Sequence, residues 1–266
     1  MMPDLSGKVA IVTAGSTGFG RGIAVAYARA GASVVIGDIT ETAPAGNFDE
    51  SPDLTTVQLI ESVGGAGAYR HCDVTEEHDV TKLISLAADR FGGVDIMVNN
   101  AGVYRGGGRL HELSVDALDA CLDVLVRGSW FAAQSAIRQF LSQGRGGSII
   151  NIVSTAGLRG HINQSPYNMA KAAQANMTRC IAVEYGADNI RANAICPTYG
   201  KTAMSRGGFD GGMTEAIERV VPLKRWAEVD DVVNAALFLA ADESSFLTGV
   251  LLPVDGGETL SGLIGA

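Results

Sequence analysis

The chain has 266 residues and a mass of 27.6 kDa, enough for one large α/β domain. Hydrophobic residues make up 47%, charged residues 18%, and there are 34 glycines, a balance that excludes a disordered chain and suits a well-buried fold with many tight turns. A net charge of −9 with no cluster of Lys or Arg argues against nucleic acid as a partner, and no apolar run reaches the ~18 residues of a membrane span.

The first residues, "MMPDLSGKVAIV", carry no export signal, and Cys72, Cys121, Cys180 and Cys196 stand singly, without metal-ligand spacing. Both features lead us to expect a cytoplasmic protein with reduced thiols and no metal. Along the chain, short apolar runs alternate with segments of 3.6 periodicity. "KVAIVTA" leads into a helix expected over about 18–30, "ASVVIGD" ends at Asp38, "GAYRHCDV" reaches Asp73, and "VDIMVNNAG" closes on a polar pair and a glycine. "GGSIINIVS", "IRANAICP" and "GVLLPVDGG" follow. Strands apolar on both faces and alternating with helices predict a doubly wound, Rossmann-like parallel sheet covered on both sides, in a single domain over 1–266. Ligands of such sheets bind beyond the carboxyl ends of the strands, where strand order reverses. One segment breaks the rhythm: residues 39–56 carry Pro44 and Pro52 and little periodicity, so we expect a surface insertion, with a helix resuming near Asp53. Because it follows the strand ending at Asp38, it could form a flap near the adenine end of a bound nucleotide, holding it unusually tightly.

The glycines of "VTAGSTGFGRG" lie between a strand and a helix, the context in which backbone N–H groups and a helix N-terminus hold a phosphate. Gly15, Gly18 and Gly20 do not follow the dinucleotide order G-x-G-x-x-G. Asp38, 18 residues after Gly20, can accept both ribose hydroxyls of an adenosine and would repel a 2′-phosphate. No Arg or Lys stands at Ser16, Thr17, Ile39 or Thr40, so the expected cofactor is NAD rather than NADP. Further on, "SPYNMAKAA" sets Tyr167 and Lys171 four residues apart, on one helix face. A nearby ammonium stabilises a phenolate and moves its pKa from about 10 toward working pH. Ser154 precedes Tyr167 by 13 residues and closes an apolar strand.

Together these residues resemble the short-chain dehydrogenase/reductases over essentially the whole chain. That family's T-G-x-x-x-G-x-G is followed by Thr13 to Gly20, with Ala14 in place of the first glycine. The resemblance implies catalytic roles for Ser154, Tyr167 and Lys171. It implies a cofactor site built from Thr13, Gly15, Thr17, Gly18, Phe19 and Gly20, from Asp38, Ile39, Asp73 and Val74, and from Asn100, Ala101, Gly102, Pro197 and Thr202, with Tyr167 and Lys171 on the nicotinamide ribose. Asn99 opens the N-N-A-G run beside it. The substrate, an alcohol or ketone, would meet Ser154, Tyr104, Leu158, His161, Gln164, Tyr199 and Met204, under a lid over 199–222. Arg105, Arg159, Lys201 and Arg206 could instead recognise an acidic substrate. A homotetramer is implied, built on helices around 116–139 and on the C-terminal segment.

Three departures stand out. Leu125 replaces an Asn that would hold a proton-relay water, Ala14 replaces a glycine whose flexibility Gly15 could supply, and Thr198 replaces the glycine after Pro197 and stiffens that loop. The expected activity is NAD-linked interconversion of a secondary alcohol and a ketone. The alternatives are a catalytically relaxed NAD-binding regulator and a sugar-nucleotide epimerase or dehydratase, the latter leaving too little chain after Tyr167 for a substrate domain.

Overall fold

A computed structural model describes residues 3–44 and 47–260. Seven parallel strands form one sheet in the order β3-β2-β1-β4-β5-β6-β7. They are β1 (Val9–Thr13), β2 (Ser33–Asp38), β3 (Ala66–His71), β4 (Ile96–Asn99), β5 (Gly147–Ile152), β6 (Ile190–Pro197) and β7 (Leu251–Val254). The order reverses between β1 and β4, so the carboxyl ends of these two strands form the mouth of a cleft.

The alternation of each strand divides the core in two. Ala10, Val12, Val34 and Ile36 face one layer, where α1 (Gly18–Arg29) and α9 (Val229–Ala240) bring Ile23, Val232 and Leu237 against them. Val9, Ile11, Val35 and Met97 face the other, packed by Leu83 of α3 (Glu77–Phe91), Phe140 of α5 (Ser129–Gln143) and Ile181 of α6 (Ser165–Tyr185). Each such side chain removed from water contributes roughly 1.5–3 kcal/mol, which is why these short apolar runs are held as central strands. Buried side-chain amides set the position of α6. Asn99 donates to Asn151 (2.8 Å), and Asn151 donates to the Thr178 hydroxyl (2.8 Å).

Residues 39–55 contain no helix or strand among those described, and α2 (Thr56–Ser62) begins three residues later than the expected Asp53. The reason is local: Thr55 and Gln58 form a capping box, so the first helical turn cannot start before Thr55. The remaining helices are α4 (Val115–Cys121), α7 (Arg206–Asp210) and α8 (Thr214–Val220), with a π-helical stretch over Leu122–Gly128 joining α4 to α5. None of the helices described is long and apolar enough to cross a membrane.

Candidate active site

The glycine turn between β1 and α1 is shaped by its neighbours. Thr13 Oγ1 donates to Val98 O and accepts from the Asn100 and Ala101 N–H groups, tying β1 to the end of β4. Asn100 Nδ2 donates to Thr13 O (3.1 Å) and Ala14 O (3.0 Å). A Cβ on Gly20 would stand 2.3 Å from Ala14 O and 2.5 Å from Asn100 Nδ2, so only glycine allows this closure. Position 14 corrects the expectation placed on Gly15. Ala14 itself takes the left-handed conformation (φ 49°), whereas Gly15 has no positive φ and is needed for close approach, its Cβ falling 2.9 Å from Ile36 Cγ2.

Ser154 follows β5 and caps a short 3₁₀ turn, Thr155–Gly157, accepting from Ala156 N. It also lowers the pKa of the Tyr167 phenol. Pro166 opens α6, fixing the first turn from which Tyr167 and Lys171 project on the same face. Lys171 is buried; its Nζ donates to Ile152 O (2.7 Å) and lies 5.7 Å from the Tyr167 ring centroid. Burial pushes Tyr167 up to about 12 and Lys171 down to about 7. For Tyr167 this is opposite to the expectation from sequence. The apolar surroundings disfavour both charged forms, and the influence of Ser154 offsets only part of the effect on the phenol.

One cavity of about 700 Å³ opens at the carboxyl ends of the strands and gathers most of the expected residues. Ser154, Tyr167 and Lys171 line it, beside Thr17, Gly18 and Phe19 of the turn, Asn100 and Gly102 after β4, and Pro197 and Thr202 after β6. So do Tyr104, His161, Gln164, Tyr199 and Met204. Thr13, Gly15, Gly20 and Ala101 lie behind this surface as its support. Asp38 sits further along the turn, where its carboxylate accepts from Ser16 N (3.0 Å) and Ile39 N (2.8 Å). Asp73 is turned to its own loop, accepting from Thr75, and Val74 packs under Gly128. Leu158 does not line the cavity: it ends the 3₁₀ turn with its side chain toward solvent.

The cations named as candidate anion receptors have partners. Arg159 pairs with Glu258, Lys201 with Glu228 and Arg206 with Asp210, while Arg105 is exposed at the rim and donates to Tyr104 O. Leu125 is buried in the π-helical stretch against Cys121, Ala170 and Tyr167, so the place expected for an amide is apolar.

Several residues here escaped sequence reasoning. Glu258, 1% exposed, accepts from Thr198 Oγ1 (2.7 Å), which gives the unusual Thr198 a partner as well as a stiffening effect. His161 lies 3.8 Å from the same carboxylate; burial lowers its pKa, while Glu258 acts in the opposite sense. From His161 a series of edge-on ring contacts runs through Tyr199, Trp226 and Phe209 to Phe48 of the 39–55 segment. The next residue, Asp49, accepts from Thr17 Oγ1 (2.7 Å) and Gly18 N (3.1 Å). No periodicity or spacing marks these partners, because each arises from loops far apart in sequence.

Comparison with known proteins agrees with this geometry. The family model described as "Enoyl-(Acyl carrier protein) reductase" matches residues 13–259. The cis-4-hydroxycyclohexanecarboxylate dehydrogenase of Sinomonas cyclohexanicum is 35% identical over 252 residues, covering 95% of this chain and 96% of that protein. A short-chain type dehydrogenase/reductase from Mycobacterium marinum superposes with a TM-score of 0.89 at 32% identity, over 97% of this chain and 98% of the other. Carveol dehydrogenase from Mycobacterium avium, solved with NAD, gives 0.89 at 30% identity (97% and 100% covered). A gluconate 5-dehydrogenase from Burkholderia cenocepacia, solved with NADP and tartrate, gives 0.87 at 31% (97% and 98%). The seven-stranded sheet, the glycine turn and the near full-length matches establish that the chain belongs to the short-chain dehydrogenase/reductase family of oxidoreductases.

Proposed function

We propose that the protein interconverts a secondary alcohol and a ketone with NAD(H), using Tyr167 as the acid/base group. The observation that carries this reading is the convergence of Ser154, Tyr167 and Lys171 on one cavity that also contains the glycine turn. The turn fits a dinucleotide: Gly18 lines the cavity without a side chain, where a Cβ would press on Thr202 at 3.3 Å, α1 begins there, and Asp38 stands at the end of β2 for the adenosine ribose. When bound, NAD supplies the two-electron acceptor for the carbinol carbon.

This chain's own groups do the rest. Ser154 donates toward the substrate oxygen and holds it beside the Tyr167 hydroxyl, and in oxidation Tyr167 takes the hydroxyl proton. Lys171, on the same helix face with its Nζ 5.7 Å from the Tyr167 ring centroid, favours the phenolate by its charge and would hold the nicotinamide ribose. Tyr104, Tyr199 and Met204 give the cavity an apolar wall suited to a carbon skeleton, with segment 199–222 as the lid. The alcohol dehydrogenases among the relatives support this substrate class. We further propose a cytoplasmic homotetramer, supported by exposed Trp130 on α5 and by Met169 and Val183 on α6.

The test is a screen of purified protein against secondary alcohols with NAD, together with Tyr167→Phe. Turnover should fall by about 10²–10⁴ in the variant with its melting temperature retained. Equal rates in both proteins would rule out Tyr167 as the acid/base group.

A further inference from the structure

The segment 39–55 does more than connect β2 to α2. It is fastened to the glycine turn from both ends: Ser16 Oγ donates to Thr40 O (2.6 Å), Thr56 Oγ1 donates to Gly15 O (2.9 Å), and Arg21 donates to Ser51 O. Within it Asn47 Oδ1 accepts from Asp49 N (2.7 Å), turning the chain so that the Asp49 carboxylate meets Thr17 and Gly18. Three consecutive residues of the turn are therefore taken by two carboxylates, Ser16 by Asp38 and Thr17 and Gly18 by Asp49. Adjacent residues are 3.8 Å apart at Cα, well inside a Debye length of ~8 Å, so both charges act on any group placed against this turn.

We propose that Asp49 is a cofactor-specificity residue, a second carboxylate beside the adenosine ribose that excludes a 2′-phosphate. The inference rests on the reading that the dinucleotide lies along the glycine turn with Asp38 at its ribose. A ribose carrying two free hydroxyls presents donors to carboxylates, whereas a phosphorylated one presents a doubly negative group to two negative charges. Arg21 also faces Asp49, but its guanidinium is buried and its donors are directed at Ser16 O and Ser51 O, so it offers the phosphate no fork. Asp38 alone closes β2; Asp49 reaches the same turn only because the inserted segment folds back onto it.

The experiment measures NADH and NADPH dissociation constants by titration calorimetry on the intact protein and on Asp49→Asn, which keeps the shape and removes the charge. Wild type should bind NADPH at least tenfold more weakly than NADH. The variant should narrow that ratio about tenfold through NADPH, with NADH changed less than about threefold. Asp49→Ser should act in the same direction, and unchanged melting curves show that the fold is retained. An unaltered ratio overturns the proposal. So does an equal gain for both nucleotides, which would make Asp49 a mere competitor for the phosphates. If wild type itself binds the two equally, the NAD preference fails along with the role of Asp49; if wild type prefers NADH and Asp49→Asn keeps that preference, only the role of Asp49 fails.

Discussion

Ala14→Gly offers a sharp test of how the glycine turn is built. Ala14 holds φ at 49°, a conformation that costs an L-residue roughly 1–2 kcal/mol. Glycine relieves that cost, but gives the unfolded chain more freedom, an opposing effect of about 0.4–1 kcal/mol. The net expectation is a gain of about 0.5–1 kcal/mol, or an increase in Tm of about 1–4 °C for a chain of this size. Urea unfolding and a thermal scan of nucleotide-free protein measure it. Gly15→Ala is the companion: its Cβ would press on Ile36 Cγ2 at 2.9 Å and on Val12 O at 3.2 Å, so stability should fall by about 1–3 kcal/mol. A lower midpoint for Ala14→Gly, with Gly15→Ala harmless, would refute the assignment of strain to position 14.

Two further outcomes follow from buried charge. Lys171 is pushed down to about 7 from 10.5, so between those values the unfolded chain binds a proton that the folded chain lacks, and stability rises with pH. Without nucleotide, the unfolding free energy from urea curves should climb from pH 7 to 9.5 by an amount on the order of a few kcal/mol, and Lys171→Met should flatten that climb; parallel curves would count against it. Thr198→Val removes a donor from buried Glu258 and should cost about 1.5–3 kcal/mol in chemical denaturation, with Thr198→Ser close to wild type.

The fold was legible because its signals are local and repeated. The inner strands are apolar runs buried on both faces, as β1 shows with all five residues inside, while the edge strands β3 and β7 are only partly covered, and α1 ends at Arg29 against an expected boundary near residue 30. The convergence of Ser154, Tyr167 and Lys171 was legible for a related reason, since strand end and helix face fix their directions. What was not legible depends on loops meeting across the structure. Glu258 and Thr198 are 60 residues apart, and Asp49 reaches Thr17 across 32. The tyrosine and lysine shifts also lay beyond the motif, because they follow from desolvation by the whole cavity rather than from the two side chains alone.

The row of ring edges from His161 to Phe48 has a mechanical consequence. Trp226 is nearly enclosed and touches both Tyr199 and Phe209, so it acts as a fixed bearing between two loops that would otherwise move separately. Phe209 lies in α7, Phe48 leans on it at 5.1 Å, and Arg206 from the same short helix covers the outer side of Phe48 at 4.7 Å. Swinging α7 outward therefore strips the cover from the residue next to Asp49, and lifting the 39–55 segment bares Phe209. The two ends of the cleft share one latch, and neither can be opened at the cost of its own contacts alone.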